Sequence, residues 1–426
     1  YFKKRFINIM SIKKLSHTAT PGKVCFLILS LSLLVGFYLN EDASAGGASA
    51  DFYETWGHVL ALKENLFIDG TEWSMHFPLH HIILSRLNFL IEDRYLLRLF
   101  FCIISISVPF LFYLNLKLKF SNIDKNILWF LASLILLLPS FRYSAIWAND
   151  HITGFIFFLL STLFFLKWEK EKNYEILNLN IIFQVIFLAL AVYCRQYYAL
   201  LFLYFMIIFF QKLKFNSFIK ISIFVLFLAL PGIWMSYRQP VLLYTIYSFK
   251  YYNGLIIIPS IISFYLIPIV ACLFLNNKIQ LNERKKSLFI GTIFFTLFVL
   301  ILSIPFDYNY LIGGGFFTKL SFLIFNNKLL LYITAIIGFV FLTYLSLENK
   351  NNLILFLLLL FGLNGSYIFQ KYFEPTFLIL FFLIIISKLP LEFLKNYRNL
   401  FYLYIYTFIY LISAIINDIL QLTKNI

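Results

Sequence analysis

Long apolar runs recur along almost the whole chain, from Val24 to Ile416, separated by short polar segments. An α-helix rises 1.5 Å per residue, so about 20 apolar residues match the ~30 Å hydrocarbon core of a bilayer. Lipid offers the backbone no hydrogen-bond partner, so a spanning segment must be a helix or part of a closed barrel, and continuous runs without strict alternation select the helix. The sequence therefore predicts an all-α integral membrane protein, a bundle of about 11–13 transmembrane helices. Expected spans lie near 24–39, 95–116, 126–139, 152–168, 179–194, 197–211, 218–234, 255–275, 288–304, 329–347, 353–369, 374–387 and 400–416. Charged residues are 13% of the chain, about half the share of a soluble protein. That leaves no room for a sizeable soluble domain, and the longest polar stretch is residues 40–94.

The net charge of +15 does not signify nucleic acid, because the basic residues sit in clusters between apolar runs, as the positive-inside rule requires. With the N-terminus cytoplasmic, roughly 23 of the 35 Lys and Arg fall on the inner side, from Lys3 through Lys23, Lys117, Lys167, Lys212, Lys285 and Lys350 to Arg398. This orientation places the chain in a cytoplasmic membrane of bacterial type, with its working face outward. Most arginines break the trend: Arg86, Arg94, Arg98, Arg142, Arg195 and Arg238 fall outside. A guanidinium is a planar fork of donors that fits a phosphate, so these arginines mark an anion-binding surface, or else pair with outer acids and lipid headgroups. Cys25, Cys102, Cys194 and Cys272 lie within apolar runs without metal-ligand spacing and read as packing residues. Residues 1–23 form a cytoplasmic tail, in which Met10 offers an alternative start that would leave 1–9 as upstream sequence.

The first outer connector, 40–94, holds nine of the 20 acidic residues and four of the six histidines. A connector of this length is ordinarily functional. The small residues Ala43 to Ala50 let the chain turn away from the first span, and Asp51 is a fitting N-cap for a helix carrying Trp56, Val59, Leu60 and Leu62 along one side. A second amphipathic helix begins at Pro78, with Leu79, Ile82, Ile83, Leu87 and Leu90 as its apolar side. A carboxylate at the mouth of the first span can act as a general base toward an attacking hydroxyl. Asp51 is the first candidate and Glu54, one turn on, the second, with the cap alone as the alternative for Asp51. His58 follows on the same helix. His76 and His80, at i and i+4, could hold a metal together with Asp150, although no further ligands complete a recognisable zinc set. No tightly held metal is expected; a loosely bound divalent cation, Mg or Mn, serving a phosphate-bearing substrate is the other option. Gly313, Gly314 and Gly315 read as a flexible loop or lid, since the Lys-Ser/Thr ending of a phosphate loop is missing.

Several segments occur in a telling order. Asp51 in ASADFYETW follows the first span, then GHVLALKENLF, then the Pro-led HFPLHHIILSRL, then Arg98 in YLLRLFF, then Arg142 in the Pro-terminated LILLLPSFRYSAIW, then Asn149 and Asp150 in WANDHITG. Arg195 and Gln196 follow in AVYCRQYYALLFLY, and Lys371 in YIFQKYFEPTFLILFF. This layout resembles the GT-C glycosyltransferases, multispan enzymes that use lipid-linked sugar donors, and the Arg-Gln pair is similar to one in the dolichyl-phosphate-glucose α-1,2-glucosyltransferases. The resemblance covers residues 20–220 best. It divides the chain into a GT-C-like catalytic module over 24–220 and a variable C-terminal module over 221–426. The Asp-Glu pair frequent in that family is absent here.

The resemblance implies a reaction. A polyprenyl-phosphate sugar would be the donor, and a glycan, lipid or protein the acceptor. Asp51 would deprotonate the acceptor, and displacement would invert the anomeric carbon. Arg98, Arg142 and Arg195, with Lys371 and Arg238 behind them, would meet the phosphate; Asp150, Asn149, Gln196 and His58 would orient the acceptor. Two other classes stay open: a transporter or flippase of lipid-linked sugars or other anions, and an enzyme of the O-antigen polymerase or ligase type. No internal repeat speaks for the transporter, and a polymerase or ligase usually carries its largest outer loop late in the chain.

Overall fold

The computed structural model of the chain describes residues 20–44, 46–65, 76–87, 92–171, 177–238, 250–276, 285–310, 313–364 and 367–424. The tail 1–19 and Asp69, Glu72, Leu90, Lys172, Lys278 and Arg284 lie outside them. Every regular element among the described residues is helical. Among the described residues eight helices are long and apolar enough to cross a membrane, and a bent pair, taken as one span, makes a ninth. The chain is an all-α integral membrane protein.

The first crossing, α1 (Pro21–Tyr38), opens on a proline whose missing N–H is not needed in a first turn. The connector folds into α2 (Gly47–Glu64) and the short α3 (Leu79–Ser85). The second crossing is α4 (Arg94–Ser105) continued by α5 (Ser107–Lys119), started by Asp93, whose carboxylate accepts from Tyr95 N at 2.8 Å. Next, α6 (Lys125–Ser133) tightens into a 3₁₀ turn at Leu134–Leu137 and bends by 67° into α7 (Pro139–Ile146). Proline drives the preceding residue out of the helical region, and Leu138 is extended, with φ −75° and ψ 121°. The bend turns α7 into the bundle, where all eight of its residues are buried.

Then follow α8 (Asp150–Glu169), α9 (Leu179–Cys194), α10 (Ala199–Lys212), α11 (Phe215–Arg238), α12 (Tyr251–Leu275) and α13 (Lys285–Ser303). The chain closes with α14 (Gly315–Phe325), α15 (Leu329–Glu348), α16 (Lys350–Gly362), α17 (Thr376–Leu383), α18 (Leu389–Leu394) and α19 (Tyr397–Lys424). The central helix is α12, mostly buried, whereas α11 and α13 each bury a single residue, Ile221 and Val299, as lipid-facing helices do. Where α15 crosses α12, a Cβ on Gly338 would stand 2.0 Å from the Pro259 carbonyl oxygen. The backbones touch there because the residue is glycine. Gly338→Leu should therefore lower the thermal midpoint in detergent by several degrees, from overpacking of roughly 1–3 kcal/mol or more. Gly291→Ala, whose Cβ would meet only Thr343 at 3.7 Å, should leave it unchanged. Equal midpoints for the two variants would mean that α12 and α15 do not pack this way.

Four of the thirteen expected spans fall short of membrane-crossing length among the described residues: 179–194 and 197–211 form α9 and α10, of 16 and 14 residues, and two more differ further. The run 374–387 yields α17, eight residues, all buried, and the run 353–369 ends its helix at Gly362. An apolar run reports burial without saying whether lipid or protein does the burying, and for α17 protein does. The glycine loop also differs. Asp307 N meets Asn253 in the first turn of α12, Gly315 abuts Ile261, and the Phe316 and Phe317 rings pack on Phe264. Eleven residues of α12 separate Asn253 from Phe264, about 16 Å of helix. The segment thus dips into the bundle, reverses on Gly313 and Gly314 at φ +87° and +82°, and returns as the apolar α14. A left-handed backbone suits glycine, which accounts for the glycines without a lid.

The two ends of the bundle carry different charge. At one end, Lys119 reaches the Leu383 carbonyl, Lys212 pairs with Glu169, and Asn276 with Asn399. That end holds Lys23, Lys117, Lys125, Lys170, Lys285, Lys350 and Lys388. The other end gathers the first connector, α7, the α9–α10 turn and the 367–375 segment, and with them Arg86, Arg94, Arg98, Arg142, Arg195 and Arg238, while Arg398 stays at the lysine-rich end beside Asn399.

Candidate active site

Asp51 reaches the site from the second turn of α2. That helix starts at Gly47, with Gly46 at φ +83°, so Asp51 is not its cap. The capping is done by Asp42, whose carboxylate accepts from Ser44 N at 3.1 Å, Ser44 Oγ at 2.5 Å and Ser49 N at 2.9 Å, while Ser44 Oγ accepts from Ala48 N. Ala48, Phe52, Trp56, Val59 and Leu62 bury one face; Leu60, expected among them, is exposed. With the helix fixed in this way, the Asp51 carboxylate stands at the edge of the bundle, 45% exposed, its Oδ2 3.1 Å from Lys371 Nζ.

This ion pair lines a cavity of about 510 Å³. The polar wall contains Ser44, Asp51, Ser140, Tyr143, Gln370 and Lys371; the apolar wall is Leu320, Leu323 and Ile324 of α14 facing Tyr410 and Ala414 of α19. Leu323 and Ile324 are 63% and 65% exposed, which in a bilayer means lipid. The apolar wall of the cavity thus reaches the protein surface between α14 and α19. Below it sits Glu374, buried, accepting from Ser140 N at 2.7 Å, Tyr265 Oη at 2.9 Å and Tyr410 Oη at 3.0 Å. Gln370 ties in the re-entrant segment by accepting from Phe316 N at 2.6 Å. Glu374 therefore joins α7, α12, α19 and the 370–376 turn under the cavity floor.

The three leading arginines are committed elsewhere. Arg142 forms a two-pronged pair with Glu41, Nε to Oε1 at 2.7 Å and Nη2 to Oε2 at 2.6 Å, and also donates to Ser32 and Leu136. Arg98 lies 3.5 Å over the Trp147 ring and donates to the Ile146 carbonyl and Asn40. Arg195, buried, pairs with Asp150 and donates to His76 Nε2 at 2.6 Å. None of the three lines the cavity. Arg238 ends α11, its guanidinium 5.8 Å from the Trp234 ring. Glu54 is 67% exposed beside His58, one turn beyond Asp51 and outside the cavity lining. Asn149 precedes α8 without a capping bond, and its buried amide has no hydrogen-bond partner among the described residues. Tyr372, next to Lys371, links the two groups of polar residues, its ring 6.1 Å from His151 and 6.0 Å from Tyr197.

The histidines do not form a metal site. Arginine can only donate, so His76 Nε2 accepts from Arg195 and its Nδ1–H donates to Gln196 Oε1 at 3.1 Å. His80 Nε2–H donates to the Ala148 carbonyl at 3.0 Å, and Nδ1 accepts from Thr153 at 2.8 Å. These bonds occupy both nitrogens of each ring, so His76, His80 and Asp150 do not converge as ligands. Among the described residues no group of three or more His, Cys, Asp or Glu could hold a metal ion. The two bonds of His80 account for its burial in α3, where His81 is buried beside it while Ile83, on the expected apolar side, faces out.

Burial holds His80 down to about 4, and burial followed by the Arg195 charge does the same to His76; burial places His81 well below its ordinary range. An imidazole depressed in the fold binds fewer protons than in the unfolded chain between the folded value and the ordinary 6.5. Stability is thus complete above pH 6.5 and falls toward pH 4, by about 1.4 kcal/mol per pH unit for each such group. The thermal midpoint in detergent should drop steeply from pH 6.5 to 4, and His80→Asn should flatten that slope. A pH-independent midpoint over this range would contradict the neutral histidine network.

Lys319 and Glu374 were absent from the sequence candidates. Lys319 left a visible signal, a single ammonium inside the apolar GFFTKLSFLIF. Glu374 is equally isolated before Pro375. No protein-family model matches the chain, no curated protein matches its sequence, and no solved structure matches its fold.

Proposed function

We propose that the chain is a membrane glycosyltransferase that moves a sugar from a polyprenyl-phosphate donor to an acceptor hydroxyl, with the cavity facing away from the cytoplasm. The reading is carried by one observation: the cavity joins a carboxylate–ammonium pair, Asp51 and Lys371, to an apolar side wall that reaches the protein surface between α14 and α19. A donor with a long apolar tail and an anionic head fits such a space, tail to α14 and α19, phosphate to the cationic side. Sidedness follows from the lysine-rich opposite end, which the positive-inside rule puts in the cytoplasm.

In the reaction, the acceptor oxygen forms a bond to the anomeric carbon as that carbon's bond to the phosphate oxygen breaks. The electron pair leaves on the phosphate, giving a polyprenyl monophosphate, and the acceptor proton passes to Asp51. Lysine charge stabilises the departing phosphate more in the transition state than before it. Purified protein incubated with polyprenyl-phosphate sugars should yield glycosylated acceptor and polyprenyl phosphate. No transfer with any such donor would remove the reading.

The bent α6–α7 pair and the buried Glu374 favour one second reading, since transporters of lipid-linked sugars use interrupted helices around midplane charges. That reading requires flux across sealed proteoliposomes without a covalent product.

A further inference from the structure

The cavity has two ammonium groups on different elements, and their surroundings are unlike. Lys371 is held by Asp51 at 3.1 Å. Lys319 projects from α14, half-buried in the cavity wall, and has no ion-pair or hydrogen-bond partner among the described residues. It stands on a helix whose other side chains are nearly all apolar, packed against Phe264 through Phe316 and Phe317. A cation in such a place is retained for an anion that arrives.

We propose that Lys319 is the fixed anchor for the phosphate of a membrane-embedded isoprenoid phosphate, and that Lys371 is a movable one, released from Asp51 when that phosphate enters. The proposal rests on the cavity reading above and adds a regulation to it. Before the anion binds, Lys371 occupies the Asp51 carboxylate. A phosphate held by Lys319 competes for the Lys371 ammonium, because both lysines line one cavity of about 510 Å³. When Lys371 turns to the phosphate, the Asp51 carboxylate is left free to accept the acceptor's hydrogen. It is free only when a donor is seated, which limits its reaction with stray hydroxyls.

The consequence is unusual for a catalytic carboxylate. Removing the Asp51 charge should strengthen phosphate binding, since Lys371 no longer has to be withdrawn from it. The probe is geranyl phosphate, titrated calorimetrically into full-length protein in zwitterionic nanodiscs, with geraniol and inorganic phosphate in parallel. Geranyl phosphate should bind at least tenfold tighter than either. Lys319→Met, which keeps the apolar stem, should weaken it tenfold or more, and Lys319→Arg should restore most of the loss. Asp51→Asn should tighten binding three- to tenfold, and should do nothing in a Lys371→Met background. Unchanged affinity in Lys319→Met, or no tightening in Asp51→Asn, overturns the proposal, as does inorganic phosphate binding as well as geranyl phosphate. No sugar or acceptor is present, so lysine-dependent binding without any transfer would count against glycosyl transfer alone.

Discussion

Asp51→Asn is expected to lower the rate of sugar transfer by about a thousandfold, within the range of 10²–10⁴ ascribed to a positioned general base, without loss of donor affinity. The amide keeps the shape of the side chain and removes its basicity. The fold should tolerate the change, because the start of α2 is held by Asp42 and Ser44, and because Asp51 is 45% exposed. Glu54→Gln is the matched comparison. Glu54 lies outside the cavity lining, beside His58, so that variant should keep most of its rate. Initial rates with purified protein, alongside thermal midpoints for both variants, decide the matter. If Asp51→Asn retains a tenth or more of the rate, the base lies elsewhere; a loss in Glu54→Gln alone would give it the role.

The amino-acid pattern revealed the material of the fold more fully than its paths. Hydropathy is a property of single segments, so the long crossings, the Pro-led α3 and the placing of Asp51 near the first span were legible. The 67° bend at Leu138 was half legible: Pro139 announces a break, but nothing in the segment says that α7 turns inward. The re-entrant path to α14 was hidden because its cause is non-local, the packing of Phe316 and Phe317 on Phe264. The same limit governs the charges. Arg142 reads as a free outer cation until Glu41, 101 residues away, is seen to grip it at 2.6 Å and 2.7 Å. Lys371 was legible as a cation at the right end, but its pairing with Asp51 depends on the whole bundle. Lys319 is legible from its apolar neighbours alone, as the single charge in GFFTKLSFLIF.

The committed arginines lead to the second large effect. Arg195→Ala and Asp150→Ala should each destabilise the bundle by about 3–5 kcal/mol, because truncating one member of a buried pair leaves the other charge uncompensated. Both side chains are at least nine-tenths buried, so water cannot take the place of the missing partner. The Arg195 loss also strips His76 of one of the two bonds, the other being to Gln196, by which it ties the connector to the α9–α10 turn. Exchanging both partners for apolar groups of similar volume, Asp150→Leu with Arg195→Met, should recover most of the stability of the singles. A buried pair is often no better than well-packed apolar side chains. The measurement is the thermal midpoint of the two singles and the double in detergent, together with their affinity for geranyl phosphate. A phosphate-binding Arg195 would give the opposite pattern: little change in stability on truncation, and a loss of affinity that the double does not restore. Because Arg195 faces Asp150 while Lys319 and Lys371 face the cavity, the affinity should follow the lysines and the stability should follow the arginine.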